Sequence, residues 1–270
     1  MNRRKCLVTI GGITFLAGCA SEDNDNGQTE GGDDSENLDA AENGETNVEA
    51  RSDADSLPTI NSPSELADLP FDPNIVAELE SEGNTVTDSF ELNSGLTLLV
   101  YEADVVDESN FGADIEQTDG EDSMTLVINE VVFFDDPVDG ISGGSLFEAR
   151  GGEYLLDVEA AGNWTIYAAQ PQSPAEDVRT PPVSVEGEDS AIVGPIDADN
   201  GLTVAGEHQD EDREYSFDVR VVSEDATDFL DGDFAFTEDA GFAGEARANV
   251  DGVSWASIGT FGPWSLEFDD

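Results

Sequence analysis

The chain has 270 residues and carries 9 basic against 63 acidic side chains, a net charge of −54 at pH 7. So acidic a balance leaves no material for a basic patch, which excludes a nucleic-acid binder that works by neutralising phosphates. The length gives room for one or two domains.

Residues 1–18 read as an export signal. Met1-Asn2-Arg3-Arg4-Lys5 supplies a positive start, and an apolar stretch from Cys6 to Leu16 follows, broken by Thr9, Gly11, Gly12 and Thr14. That stretch is too short to span a bilayer, which takes about 20 residues, and suits the core of a signal peptide. Leu16-Ala17-Gly18-Cys19 resembles the lipobox of lipoprotein precursors, which implies that Cys19 becomes the first mature residue with lipid on its sulfur. Arg3-Arg4 followed by Lys5-Cys6-Leu7 resembles a twin-arginine export signal, with Cys6 where an aromatic usually stands. Cys19 is then the only cysteine left, so no disulfide forms within the exported chain.

From residue 19 onward six arginines and no lysine face all 63 acids, a net −57. Such a chain repels itself in dilute buffer. At about 1 M salt the screening length falls to about 3 Å and the repulsion largely disappears. The composition reads as adaptation to molar salt and resembles that of proteins from salt-loving archaea. Residues 19–60 are expected to form a disordered acidic linker, because their isolated apolar residues cannot offset chain entropy. As a coil it would reach about 35 Å from the membrane. Residues 61–84 are expected to be a short helical lead-in, since Ser62-Pro63 and Asp72-Pro73 each place a capping residue before a proline.

Beyond residue 84 the hydrophobic period becomes two. Phe90 and Leu92, the run Leu96–Tyr101, the stretch Met124–Phe134, the alternation of Tyr154, Leu156 and Val158, and Trp164, Ile166 and Ala168 read as strands between Gly- and Asp-rich turns. The layout then recurs. Gly95-Leu96-Thr97 matches Gly201-Leu202-Thr203, and Phe111 and Ile115 match Phe217 and Val221 at the same offset. Gly152, Val158, Gly162, Trp164 and Ile166 match Gly252, Ile258, Gly262, Trp264 and Leu266. Two ungapped blocks in one order indicate a duplication. The predicted fold is all-β: two antiparallel, jelly-roll-like β-sandwich modules at 85–171 and 184–270, joined by a Pro-rich linker at 172–183. Trp164 and Trp264 are expected in equivalent core positions. Trp255 aligns with Leu155, off the buried face, and is expected to be exposed.

The segments FELNSGLTLLVYEADVVDESNFGADI, TLVINEV and GGEYLLDVEAAGNWTI resemble a small module of secreted and lipid-anchored proteins of bacteria and archaea. The resemblance covers about residues 88–170 and fits the second copy more loosely, which lacks the Val-Asn-Glu piece. It implies a β-sandwich and a surface location, and no catalytic residues.

Material for chemistry is scarce. His208 is the only histidine and stands in the charged run Glu207–Asp212, read as a solvated loop. One histidine and no spare cysteine leave almost no material for a Ser-His-Asp or Cys-His mechanism, and they exclude blue-copper sites and Cys/His zinc sites. Asp197, Asp199, Asp231 and Asp233 are weak calcium candidates, because they cluster oxygens in turns without a full calcium-loop spacing. Asn163-Trp164-Thr165 is a candidate N-glycosylation acceptor at a predicted turn. No cofactor is expected. The reading is a non-enzymatic, lipid-anchored protein on the extracellular face of the membrane, with a binding or envelope-structural role and an unidentified surface ligand or envelope component as partner. The alternative is a carbohydrate-binding module pair, with Trp255 as the aromatic contact.

Overall fold

The computed structural model describes residues 57–104, 110–118, 125–131, 140–209, 216–228, 231–239 and 241–270. Arg3, Arg4, Cys19 and the acidic linker up to residue 56 lie outside the described residues.

The described chain is built almost wholly of strands. It opens on β1 (Thr59–Ile60) and a single turn of helix, α1 (Pro63–Ala67). Helix α1 starts where Ser62-Pro63 predicts, and Glu65 reaches back to accept the Asn61 N–H at 2.7 Å. The second expected helix does not form. Asn74 adopts φ 52°, its N–H turned onto the Asp72 carboxylate at 2.9 Å, and the chain leaves as β2 (Ile75–Glu82). Glu78, Glu80 and Glu82 are exposed while Leu79 and Ser81 turn inward. That alternation of period two decides for a strand over the helix propensity of Ala, Glu and Leu. The linker also ends earlier than expected. Leu57 is 3% exposed in the second module's core, and β1 pairs with a strand of that module.

Module 1 comprises β2, β3 (Thr85–Val86), β4 (Phe90–Ala103), β5 (Asn110–Gln117), β6 (Thr125–Val131), β7 (Ile141–Glu159) and β8 (Asn163–Ala169). It therefore begins ten residues before the expected boundary. Strand β7 runs through both layers of the sandwich. Its first part pairs with β4, and its last part pairs with β5 and β3. The change of layer falls at Gly151 and Gly152, whose φ of +83° and +127° suit glycine alone.

Module 2 comprises β9 (Val183–Glu188), β10 (Ala191–Asp197), β11 (Leu202–His208), β12 (Ser216–Ser223), β13 (Asp233–Asp239), β14 (Phe242–Ala248), β15 (Val253–Gly259) and β16 (Pro263–Asp269). Its sheets run β14-β11-β16-β9 and β1-β10-β15-β12-β13. With β14 and β15 standing for the two parts of β7, the strand orders of the two modules coincide. Registers coincide too: Leu79 opposes Ile166 as Val185 opposes Leu266, and Ala113 opposes Val158 as Val219 opposes Ile258. Even the irregularity beside the outermost strand recurs, between Ala113 and Asp114 and between Val219 and Arg220. The chain is thus a tandem of one β-sandwich design.

One sequence match is displaced. Tyr101 opposes Ile166, whereas Gly206, not Glu207, opposes Leu266. Along β4 and β11 the true correspondence is therefore one residue shorter, and Thr97, not Leu96, is the counterpart of Leu202. A slip of one residue exchanges the faces of a strand. Leu202 points into its own module, whereas Leu96 points out of module 1.

Each module closes on its tryptophan. Trp164 is 2% exposed and donates its indole N–H to the Gly83 carbonyl at 3.0 Å. Trp264 is 3% exposed and donates to the Asp189 carbonyl at 2.8 Å, at the equivalent turn.

Candidate functional site

A third hydrophobic core lies between the modules. Leu96, Leu98 and Val100 of β4 and Leu146 of β7 face out of module 1, and Ile192, Val222 and Trp255 face out of module 2. Ile60 and Leu66 of the lead-in pack into the same cluster. Trp255 is fully buried, which corrects its expected exposure. It does point away from its own module's core, as the Leu155 alignment implies, but that outer face is covered by module 1. The ring meets Phe71 edge-on at 6.4 Å, and its indole N–H donates to Glu224 Oε1 at 2.9 Å. Gly194 passes so close that a Cβ there would stand 2.8 Å from the ring.

Polar groups fix the join around this core. Glu148 of β7 accepts from the Arg220 guanidinium of β12, both 7% exposed. Arg220 also lies 5.6 Å from the centre of the Phe234 ring. Burial raises the Glu148 carboxyl above its usual range even though Arg220 pulls it down. An exposed pair, Arg150 with Asp228 at 2.8 Å, spans the same join. Glu224 accepts from the Ser173 hydroxyl as well as from Trp255, and its carbonyl accepts the Leu96 N–H at 3.1 Å.

A second polar chain runs beside it. The buried Tyr101 hydroxyl donates to Glu130 Oε1, and Ser190 of the second module stands beside this pair. Ser190 donates to the Thr260 carbonyl at 3.2 Å, and the Thr260 hydroxyl lies 3.0 Å from His208 Nε2. His208 is 2% exposed and stacks on Phe217 at 5.4 Å, so it is not the solvated loop residue expected. It follows Leu202, Val204 and Gly206 on the inward face of β11, and that periodicity overrides its charged neighbours.

Burial pushes the Glu130 carboxyl from 4.5 up to about 7, against the pull of Tyr101 and Ser190. The native state therefore holds a proton that the unfolded chain releases. The stability from this linkage is full below about pH 4.5 and is lost as the pH rises through about 7, a span of roughly 3 kcal/mol. Glu130→Gln keeps an acceptor for Tyr101 and removes the charge. Its denaturation midpoint is expected to exceed the wild type's at pH 8 and not at pH 5. Equal midpoints at pH 8 would remove the buried carboxylate from the account.

The remaining sequence candidates do not converge. Asp231 accepts the N–H groups of Thr227 and Asp228, each at 3.0 Å, and Asp233 accepts both N–H groups of Asn249, each at 2.9 Å. These carboxylates serve as turn caps. Asp197 is half-buried and Asp199 exposed. No group of three or more His, Cys, Asp or Glu side chains among the described residues is placed to hold a metal. Asn163 is exposed at the start of β8 and donates to the Asp104 carboxylate at 2.7 Å. It edges an open groove of about 450 Å³ that Glu102, Ser142 and Thr165 also line.

No sequence pattern singles out Glu130, Glu148, Arg220 or Glu224. The available signal was scarcity: of six arginines after residue 19, Arg150 and Arg220 both stand at the join.

No family model and no curated protein matches the chain. Among solved structures, the tandem CBM22-1–CBM22-2 domain of Xyn10C from Paenibacillus barcinonensis is 12% identical, over 71% of this chain and 86% of that one, at a TM-score of 0.24. A triple jelly-roll protein of an archaeal virus turret is 11% identical, over 73% of this chain and 59% of that one, at a TM-score of 0.25. Likenesses of this size carry no functional argument, and the all-β assignment rests on the sheets themselves.

Proposed function

We propose that this is a lipid-anchored protein of the extracellular membrane face, made for molar salt, in which two fused sandwiches act as one binding or envelope-building body without chemistry of their own. The observation that carries the proposal is the use made of the buried ionisable groups. Glu130, Glu148, Arg220 and His208 bond to other protein groups in or beside the join rather than lining an open cleft. The lipobox around Cys19 supplies the anchor, and the acidic linker supplies reach. The carbohydrate-binding alternative loses its aromatic contact, because Trp255 is enclosed.

Expressed in a salt-tolerant host, the wild-type protein is expected in the membrane fraction, beginning at a lipid-modified Cys19. Cys19→Ser is expected to release it to the medium or leave it unprocessed. Membrane association unchanged by the substitution, with an unmodified Cys19 in the wild-type mass spectrum, would overturn the anchor.

A further inference from the structure

The two modules dock through unlike faces, so each keeps one docking face free. On module 2 the docked face carries the cross-strand row Ile192, Ser257, Arg220 and Phe234. The equivalent row on module 1 is Val86, Asp157, Asp114 and Leu126. Ile192 is fully buried under module 1, whereas its counterpart Val86 is 59% exposed. At the edge of the row Leu126 and its counterpart Phe234 are each 40% exposed, and Leu155, the counterpart of the fully buried Trp255, is only half-buried on the face of module 1. Asp114 stands where Arg220 stands, directly opposite Asp157. Like charges in opposed positions destabilise a sheet. Burial and Asp157 raise the Asp114 carboxyl accordingly.

We propose that this outer face of module 1, built by β3, the end of β7, β5 and β6, docks a separate protein that presents a lysine or arginine among apolar side chains. The charge pattern is the inverse of the internal join: there the arginine is on this kind of face and the partner face brings Glu148, and here the face brings Asp114 and Asp157.

A second copy of the chain does not fit. Face to face about a two-fold axis, Asp114 and Asp157 would meet the same carboxylates of the other copy. Head to tail, the free face of module 2 would have to take the part that module 1 plays in the join. It carries Thr203, Ala205, Arg247 and Glu267 where module 1 carries Leu98, Val100, Leu146 and Tyr167. The apolar area that holds the internal join is gone, and a head-to-tail contact would not propagate. That face reads as the solvated cap of the tandem. The inference goes beyond the anchoring proposal, and Cys19→Ser tests that proposal separately.

The test places a photo-crosslinker on Leu126→Cys in the full-length protein, in the organism that makes it, at its growth salt. The expected result is one heterologous adduct whose crosslinked peptide contains a lysine or arginine. Its yield should fall at least tenfold when Asp114→Arg and Asp157→Arg are added. Reversing the partner's basic residue to glutamate should restore the yield. Circular dichroism of the charge-reversed protein, unchanged from that of wild type, keeps a folding failure from passing as support. Absence of an adduct, an adduct made of two copies of this chain, or a yield indifferent to the charge reversals would each overturn the proposal.

Discussion

Replacing Trp255 with alanine is expected to cost about 3–5 kcal/mol, as large a loss as Trp164→Ala or Trp264→Ala inside the modules. The ring is fully buried and is among the largest fully enclosed side chains of the described chain. Truncation leaves a cavity beside Phe71 and Gly194 in the core between the modules, which the surrounding sheets relax to fill only in part. It also takes away the 2.9 Å bond to Glu224 and leaves that carboxylate one donor short. Denaturant unfolding in molar salt measures the loss. A change below about 1 kcal/mol would return Trp255 to the surface.

Arg220→Ala is expected to cost a further, separately measured 3–5 kcal/mol or so at pH 8, because it strands the buried Glu148 carboxylate. The cost should shrink as the pH falls, since a protonated Glu148 is far cheaper to bury. Glu148 already has a raised carboxyl with Arg220 beside it, and the loss of that cation raises it further. Replacing both partners together, Glu148→Leu with Arg220→Met, should be close to neutral, because neither charge is then left alone. A double variant as unstable as Arg220→Ala would mean that packing, and not the stranded charge, sets the loss.

Much of the fold was legible in the residues. Period-two patterns and glycine turns located most strands, and the offsets of Phe111 and Trp164 matched the true strand registers. Failures had particular causes. The segment Ile75–Glu82 has helical composition, and only its pairing with β8 selects the strand. The Leu96–Leu202 match went wrong by one residue because Gly-Leu-Thr is too short to fix a register. Trp255 lies on the face that alternation predicts, in an environment that alternation does not. Alternation tells which side of a sheet a residue occupies, but not whether a second sheet covers that side. The polar join was hidden for the same reason: among 63 acids, nothing local marks Glu130, Glu148 or Glu224 as the buried ones. Their partners lie 29 to 72 residues away in sequence, with Tyr101 for Glu130, Arg220 for Glu148 and Trp255 for Glu224.

The two sandwiches are docked face to face as one body. The side chains of Arg150 and Asp228 meet at 2.8 Å across this join and are open to reagent. In a background of Cys6→Ser and Cys19→Ser, the pair Arg150→Cys and Asp228→Cys leaves two thiols for a short bismaleimide. At molar salt near-complete intramolecular crosslinking is expected within minutes. A control pair on the two outward faces, Leu126→Cys and Glu267→Cys, should stay uncrosslinked. Crosslinking of the join pair no faster than that of the control would contradict the docked arrangement.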